Sequence, residues 1–306
     1  GDRRSIMIIS NHHILYDGWS NGIILKELLE TYNRLYEGLE PIKYEKNRFK
    51  EFVKWFNKRD EDQEKEFWSN YLSGFDSKTL LPIEDDSSGE EDSETESYFF
   101  SLTAEVKEKI DSFVKENEIT AATLLYSVWG ILLQRYNNVD DVVFGTTISG
   151  RNAQIEKLEE MVGLFINTLP LRINTDSGDT ILSFLKDTNN FLNERSKFEN
   201  IPLVDIQSYS QIDNNQSLFD SIVVIENYPL NRELNQQKNQ LKVESYSMSE
   251  STNFDLTLAI EMDQTITLQF LYDKAKFEVE TINRLAEHFS NILNHILAMP
   301  GDNLTD

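Results

Sequence analysis

A run of thirteen residues near the end of the first third of the chain, residues 84–96, limits how the rest can fold. It contains eight acidic residues, three Ser and one Gly. Because these side chains cannot contribute to a hydrophobic core, the run predicts a solvated loop or linker. The chain has 306 residues, a length that suits about two domains. We therefore predict a first part over residues 1–97 and a second over 98–306. The alternative is a long surface insertion within one domain.

The net charge of the chain limits the kinds of macromolecule that it can bind. Asp and Glu number 53 against 29 Lys and Arg, so the net charge is −24. This charge repels phosphate backbones and anionic lipid surfaces, which argues against nucleic-acid and membrane partners. The most apolar stretch is too short to span a bilayer. The chain has no Cys, which excludes disulfides, a thiol nucleophile and thiolate metal sites. We expect a cytoplasmic location, because this composition fits a reducing compartment.

Short apolar runs alternate with capped helical patterns along the chain. Residues 6–10 predict a buried strand, Ser20 is a candidate cap for the helix that follows, and residues 49–71 predict a second helical stretch. The second part predicts strands over residues 98–102, 141–149, 165–173 and 219–226, helices capped by Thr103, Thr120 and Asp179 or Thr180, a hairpin around residues 263–264 and a long amphipathic last helix. The predicted fold class is mixed α/β, with helices packed against mixed sheets.

Two adjacent histidines, His12 and His13, follow the first predicted strand and precede Gly18. A strand end that leads into a glycine turn suits a catalytic group, and a neutral imidazole can accept a proton near pH 7. On a continuing strand the two rings would point to opposite faces, so they could not share a metal. We therefore predict no metal site. The alternative is a buried histidine that satisfies its hydrogen bonds in the core.

Residues 12–20, HHILYDGWS, resemble the HHxxxDGWS signature of condensation domains in nonribosomal peptide synthetases. Three further segments agree in order. Residues 144–151 resemble the FGxxxSGR segment, 161–172 resemble VGxFxNTxPxR, and the stretch from Phe219-Asp220 to residues 226–229 is similar to FDxxxxxENYP. The resemblance covers essentially the whole chain, and four ordered motifs are more specific than one.

The resemblance implies a mixed-sheet sandwich of the chloramphenicol acetyltransferase-like type, with two lobes and an active-site tunnel between them. It implies an acyltransferase in which the amine of an acceptor aminoacyl thioester attacks a donor thioester and forms an amide. Donor and acceptor peptidyl carrier proteins would bring both substrates on 4'-phosphopantetheine arms, so the domain itself needs no bound cofactor. A neighbouring adenylation domain is the other implied partner.

The resemblance also assigns residues. His13 would be the catalytic histidine, either as general base or by positioning the amine, beside His12. Asp17 would be structural and Gly18 would keep the tunnel open. Tunnel positions would be Trp19, Ser149, Gly150, Arg151 and Asn167.

In the family, much of the first lobe precedes the motif, including an Arg that pairs with the motif Asp. Here twelve residues precede His13. We therefore expect an N-terminally truncated first lobe, an Asp17 without its cation, and negligible activity of the chain alone. The alternatives are an epimerization domain, a stand-alone acyl-CoA transferase, a non-catalytic platform that binds carriers, or an inactive excised fragment. The order Trp19-Ser20 and the ENYP-like element favour condensation.

Residues 43–59 contain seven basic and two acidic residues, which is unusual in so acidic a chain. The stretch predicts either a solvated helix face or a surface for an acidic carrier or the phosphate of its arm.

Overall fold

The computed structural model describes residues 5–81, 94–175, 178–212, 216–226, 241, 243–244 and 252–304. Chain contacts divide the protein into two compact units. Unit 1 consists of Gly1–Arg59, Ser149–Ile166 and Tyr228–Met248. Unit 2 consists of Asp60–Ile148, Asn167–Asn227 and Ser249–Asp306.

Three helices come first along the described chain, and helices and strands follow in a mixed order. The helices are α1 (Gly18–Tyr36), α2 (Phe49–Phe56), α3 (Glu61–Tyr71), α4 (Ala104–Asn117), α5 (Ala121–Asn137), α6 (Ile181–Arg195), α7 (Leu203–Ser208) and α8 (Val279–Ala298). The strands are β1 (Thr95–Leu102), β2 (Asp141–Ile148), β3 (Asn167–Asn174), β4 (Ser221–Glu226), β5 (Leu256–Met262) and β6 (Ile266–Asp273).

Within the described residues of unit 2, six strands form one mixed sheet in the order β1-β6-β5-β4-β2-β3. β4 runs parallel to both β2 and β5, while the other neighbours are antiparallel. The mixed α/β prediction is confirmed. β3 lies at an edge, where Pro170 is tolerated because an edge strand does not need every backbone donor.

The sheet of unit 2 has a hydrophobic core on each face. Side chains alternate across a strand, so Val142 and Phe144 of β2 belong to one core and Val143 belongs to the other. The larger core packs α5 and α8 with the sheet and includes Trp129 and Phe289, both fully buried. The smaller core contains fully buried Trp68 at the end of α3 together with residues near α7.

Local capping signals set the helix starts of unit 2. The hydroxyls of Thr103, Thr120 and Thr180 accept hydrogen bonds from backbone amides three residues later, which confirms the predicted caps. The predicted hairpin forms between β5 and β6. The last helix ends at Ala298, close to Pro300.

Unit 1 contains α1, α2 and the connection between β2 and β3. The apolar side of α2 packs on that connection, because the rings of Phe49 and Phe52 lie 5.1 and 4.7 Å from the ring of Phe165. Buried Leu158 and Met161 complete this small core. Its aromatic contacts hold the connection beside α2.

Two predictions for the first part of the chain are wrong. Residues 6–10 form no strand and are exposed, with Ile6 92% and Ile8 86% accessible. A strand needs a neighbour for its backbone groups, and the described residues supply none there. The predicted helical stretch over 49–71 is two helices, since the Asp60 side chain accepts from the amide of Gln63 and starts α3.

The predicted boundary at residues 97 and 98 stays a prediction. Most of the acidic run that motivated it, residues 84–93, lies outside the described residues, as do residues 227–229 of the ENYP-like element. The compact units divide the chain at other positions, and α3 belongs to unit 2 although it precedes the acidic run.

Candidate active site

The two histidines lie on a tight turn of unit 1 rather than on a strand. His12 organises this turn: its carbonyl accepts from the amide of Leu15 at 3.0 Å, and its ring Nδ1 accepts from the amide of Ile14 at 3.1 Å. The prediction that the rings alternate across a strand is therefore wrong.

His13 sits at the tip of this turn, and its side chain is exposed. Within the described part of unit 1, its imidazole makes no hydrogen bond. His13 is therefore not a buried core histidine.

Asp17 fixes the other end of the turn. It is 2% exposed, and its backbone amide donates to the carbonyl of Gly163 at 3.2 Å. Its Oδ1 accepts from the amide and the hydroxyl of Ser20, at 3.1 and 2.9 Å. Asp17 is thus the N-cap of α1, and the prediction that Ser20 caps this helix is wrong. An Asp at this position satisfies a helix amide that would otherwise lack a partner.

The second oxygen of Asp17 holds the distant connection of unit 1. Its Oδ2 accepts from the amides of Phe165 and Ile166, at 3.0 and 3.3 Å. The single hydroxyl proton of Ser20 is shared between Asp17 Oδ1 and the Gly163 carbonyl oxygen, which lies 3.1 Å from the hydroxyl, and the hydroxyl accepts from the Gly163 amide at 3.2 Å. Residues that are almost 150 positions apart therefore share one buried polar network.

Arg151 supplies the positive charge for Asp17. One terminal nitrogen of its guanidinium donates to Asp17 Oδ1 and to the Ser20 hydroxyl, each at 3.1 Å. The other donates to the carbonyls of Leu158 and Met161, both at 2.9 Å. The expectation that Asp17 lacks a cation is wrong, because the partner comes from the later SGR segment.

Arg151 also has a low-dielectric environment. Its guanidinium carbon lies 4.2 Å from the centre of the Phe165 ring and 5.7 Å from that of the Trp19 ring. Burial lowers the pKa of Arg151 from its ordinary value, while the Asp17 carboxylate acts in the opposite direction. The orientation of the guanidinium toward Asp17 and two carbonyls indicates a structural role; its predicted place along a tunnel stays a prediction.

Two glycines allow the backbone to approach closely in this network. Gly150 has a φ of +63°, and a Cβ there would lie 1.8 Å from the carbonyl oxygen of Phe165. A Cβ on Gly163 would lie 2.2 Å from the Phe49 ring. Neither position can hold a side chain without displacing its neighbours.

The remaining predicted residues of unit 1 surround the same network. Gly18 is buried as the first residue of α1. The Trp19 indole donates to the carbonyl of Glu159 at 3.1 Å, and the hydroxyl of Ser149 accepts from the Arg151 amide at 3.4 Å. The proposed tunnel roles of Gly18, Trp19, Ser149 and Gly150 stay predictions.

Asn167 belongs to unit 2, where it begins β3. Its side-chain nitrogen donates to the carbonyls of Glu199 at 3.0 Å and Ile201 at 2.6 Å, and its oxygen accepts from the amide of Thr168. The amide thus holds the loop that follows α6. This use of both polar atoms supports a loop-fixing role; the predicted place of Asn167 along the tunnel stays a prediction.

Sequence reasoning missed Gly163 as part of the network, although it lies within the VGxFxNTxPxR-like segment. It also assigned Ser20 only to helix capping. The roles of Gly163 and Ser20 become visible only when the histidine motif and the VGxFxNTxPxR-like segment lie side by side, and no local sequence pattern encodes that contact.

Across the described ranges, no cluster of three or more His, Cys, Asp or Glu residues could hold a metal ion. No helix in the described parts is long and apolar enough to cross a bilayer.

Comparison with curated proteins gives several relatives. The chain is 34% identical over 295 residues to tyrocidine synthase 2 of Brevibacillus parabrevis, and 33% identical over 287 residues to bacitracin synthase 3 of Bacillus licheniformis. These matches cover 94% and 93% of the chain but only 8% and 4% of the two synthases.

Solved structures share the fold at lower identity. The X-domain from teicoplanin biosynthesis matches with a TM-score of 0.79 at 18% identity, covering 96% of this chain and 70% of that one. The first condensation domain of the calcium-dependent antibiotic synthetase, solved with a substrate analogue, matches with a TM-score of 0.76 at 15% identity, covering 96% and 67%.

The family model described as Condensation domain matches residues 1–306, a span that includes the histidine turn and its SGR partner. With that match and relatives above 30% identity, the chain belongs to the condensation domain family of nonribosomal peptide synthetases.

Proposed function

We propose that this condensation domain, within its synthetase, forms an amide bond between a donor thioester and the amine of an acceptor aminoacyl thioester, both delivered by carrier proteins on 4'-phosphopantetheine arms. The observation that carries the proposal is the presentation of His13. Its imidazole is exposed and makes no hydrogen bond within the described part of unit 1, and its turn is held by His12 on one side and by Asp17 on the other.

The reaction needs only the two substrates. The acceptor nitrogen attacks the donor thioester carbonyl, a C–N bond forms, and the C–S bond breaks. The attacking nitrogen loses one proton and the departing thiolate gains one, so protons balance. His13 can accept the amine proton or hold the amine in line for attack, and either role requires a ring fixed in position.

The buried network supports this requirement. Arg151 and Asp17 are 4% and 2% exposed, and a buried pair with all its carboxylate oxygens bonded has little freedom to move. A rigid anchor at Asp17 limits the positions that the turn residues 13–16 can reach. Pre-organisation of this kind contributes to catalysis because the reacting groups need less reordering.

The test is condensation by the full-length protein with both carriers loaded. His13→Ala should lower the rate of dipeptide formation by about 10²-fold to 10³-fold without changing carrier loading, as loss of a general acid–base group does. The matched control is His12→Asn, whose side-chain oxygen can replace Nδ1 as acceptor from the Ile14 amide. Equal rates for folded His13→Ala and wild type would contradict the assignment.

Product analysis separates the alternatives. Condensation consumes both substrates and yields an amide. Epimerization would change the configuration of one aminoacyl group with no second substrate, and a stand-alone acyltransferase would turn over acyl-CoA without carriers. A protein that binds carriers but gives none of these products would be a binding module.

A further inference from the structure

The basic segment, residues 43–59, has a net positive charge in a chain whose total is −24. Two of its lysines are paired: Lys46 with Glu27 of α1, and Lys54 with Glu51. Four further cationic side chains of the segment have no carboxylate within ion-pair distance among the described residues: Lys43, Arg48, Lys50 and Lys58. All four are exposed. The segment therefore carries charge that the described residues do not neutralise.

The segment is attached to unit 1 along its length. The Tyr44 hydroxyl donates to Glu30 of α1, Lys46 pairs with Glu27, and the Asn47 amide donates to the carbonyl of Glu156 at 2.6 Å. These contacts hold the part of the segment that precedes α2.

Helix α2 is held by its aromatic side. Phe52 is buried, and its ring packs on Phe165. Lys50 and Lys54 are four residues apart and hence on one side of the helix, away from Phe52. Lys54 is 62% exposed, and Val53, which neighbours Lys50 on the helix surface, is 42% exposed. A fixed helix thus presents two lysines and an apolar side chain to solvent.

We propose that this basic face of α2, made by Lys50, Val53 and Lys54 with the neighbouring Arg48 and Lys58, docks a carrier domain through a carboxylate-rich helix of that domain. This inference rests on the proposed function and names the surface that one of its partners uses. Acidic side chains of the partner helix pair with the lysines, and an apolar side chain covers Val53.

The charge distribution favours this occupant. An acidic partner is repelled by the rest of the chain, so the basic face is where its approach is electrostatically favourable, which orients the encounter. A second copy of the chain would bring another net charge of −24 toward the first. An isolated phosphate would use the lysines but would leave Val53 uncovered, whereas a protein helix uses both.

The experiment measures binding of the holo carrier domain to the full chain by fluorescence anisotropy. Lys50→Glu combined with Lys54→Glu should weaken binding about tenfold at low salt, and the difference should shrink to less than about twofold at about 0.5 M salt. Lys50→Arg with Lys54→Arg should retain wild-type affinity, which shows that charge and not local packing is responsible.

The matched control is Lys109→Glu combined with Lys186→Glu on α4 and α6. It makes the same charge change and, like the test pair, includes one lysine with a helical Glu partner. Its carrier affinity should change less than about twofold. Equal weakening by both pairs, or no weakening by either while wild type binds, would overturn the proposed surface and leave the proposed function intact.

Three further outcomes would also overturn the proposal. If wild type binds no carrier at any salt concentration, both the surface and the proposed function fail. If free phosphopantetheine binds the wild type, and the Lys50→Glu, Lys54→Glu variant weakens its binding by the same factor as carrier binding, the site takes a phosphate. If sedimentation shows a dimer that this variant abolishes, the surface takes a second copy.

Discussion

Replacing Asp17 by Asn tests the buried network most directly, because it changes charge and hydrogen bonding with almost no change in shape. The Asp17 carboxylate accepts five hydrogen bonds: two from Ser20, one from Arg151, and one each from the amides of Phe165 and Ile166. Asn has one acceptor oxygen, so its NH₂ group must face either three or two of these donors.

The magnitude follows from the better of the two orientations. With the Asn oxygen in the place of Oδ1, the cap of α1 survives, since Asn caps helices as well as Asp does. The NH₂ group then faces the amides of Phe165 and Ile166, which both lose their acceptor. Each unsatisfied buried donor costs about 1–3 kcal/mol, and an uncompensated Arg151 charge adds to this, so we expect a loss of about 3–5 kcal/mol.

The assay combines urea unfolding with amide hydrogen exchange. Exchange at Ser20 should change little, because its acceptor remains, whereas Phe165 and Ile166 should lose protection. The control is Asp111→Asn, which removes an exposed ion pair with Lys107 on α4 and should cost less than about 1 kcal/mol. A loss below about 1 kcal/mol for Asp17→Asn, with unchanged exchange at Phe165 and Ile166, would refute the reasoning.

Three other changes test separate parts of the structure. His12→Ala should remove the acceptor for the Ile14 amide and lower the condensation rate through a looser turn. His12→Asn should keep an acceptor and a rate close to that of the wild type. Equal rates for His12→Ala and wild type would argue against a positioning role. Gly163→Ala should lower the unfolding free energy by about 1–3 kcal/mol, measured in urea, because its Cβ would overlap the Phe49 ring. Burial raises the pKa of Glu199 above its ordinary 4.5. The native state therefore holds this proton to higher pH than the unfolded state, and the unfolding free energy should fall as pH rises through that window. Glu199→Gln should flatten this part of the pH profile, and an unchanged slope would contradict the attribution.

The elements of unit 2 were predictable from local signals. Thr103, Thr120 and Thr180 each stand before a helical pattern, and capping depends only on residues a few positions away. The β5–β6 hairpin also follows from neighbouring residues. Such features need no knowledge of what packs against them.

Predictions that depended on a distant neighbour were less successful. Residues 6–10 have strong strand propensity, yet a strand forms only where another backbone supplies hydrogen bonds. The cation for Asp17 was expected upstream, whereas Arg151 lies 134 residues downstream. No spacing rule links the two, because their proximity results from the tertiary contact between the start of α1 and the connection between β2 and β3.

The sequence by itself determined the mixed α/β class, the positions of most helices and strands of unit 2, and the histidine motif with its family. These depend on side-chain periodicity, capping and short motifs, which operate over a few residues. The tertiary structure decided which charge meets Asp17, which glycines permit close approach, and which face of α2 remains exposed. These are properties of distant segments in contact, where burial makes every polar group require a partner and every added atom require space.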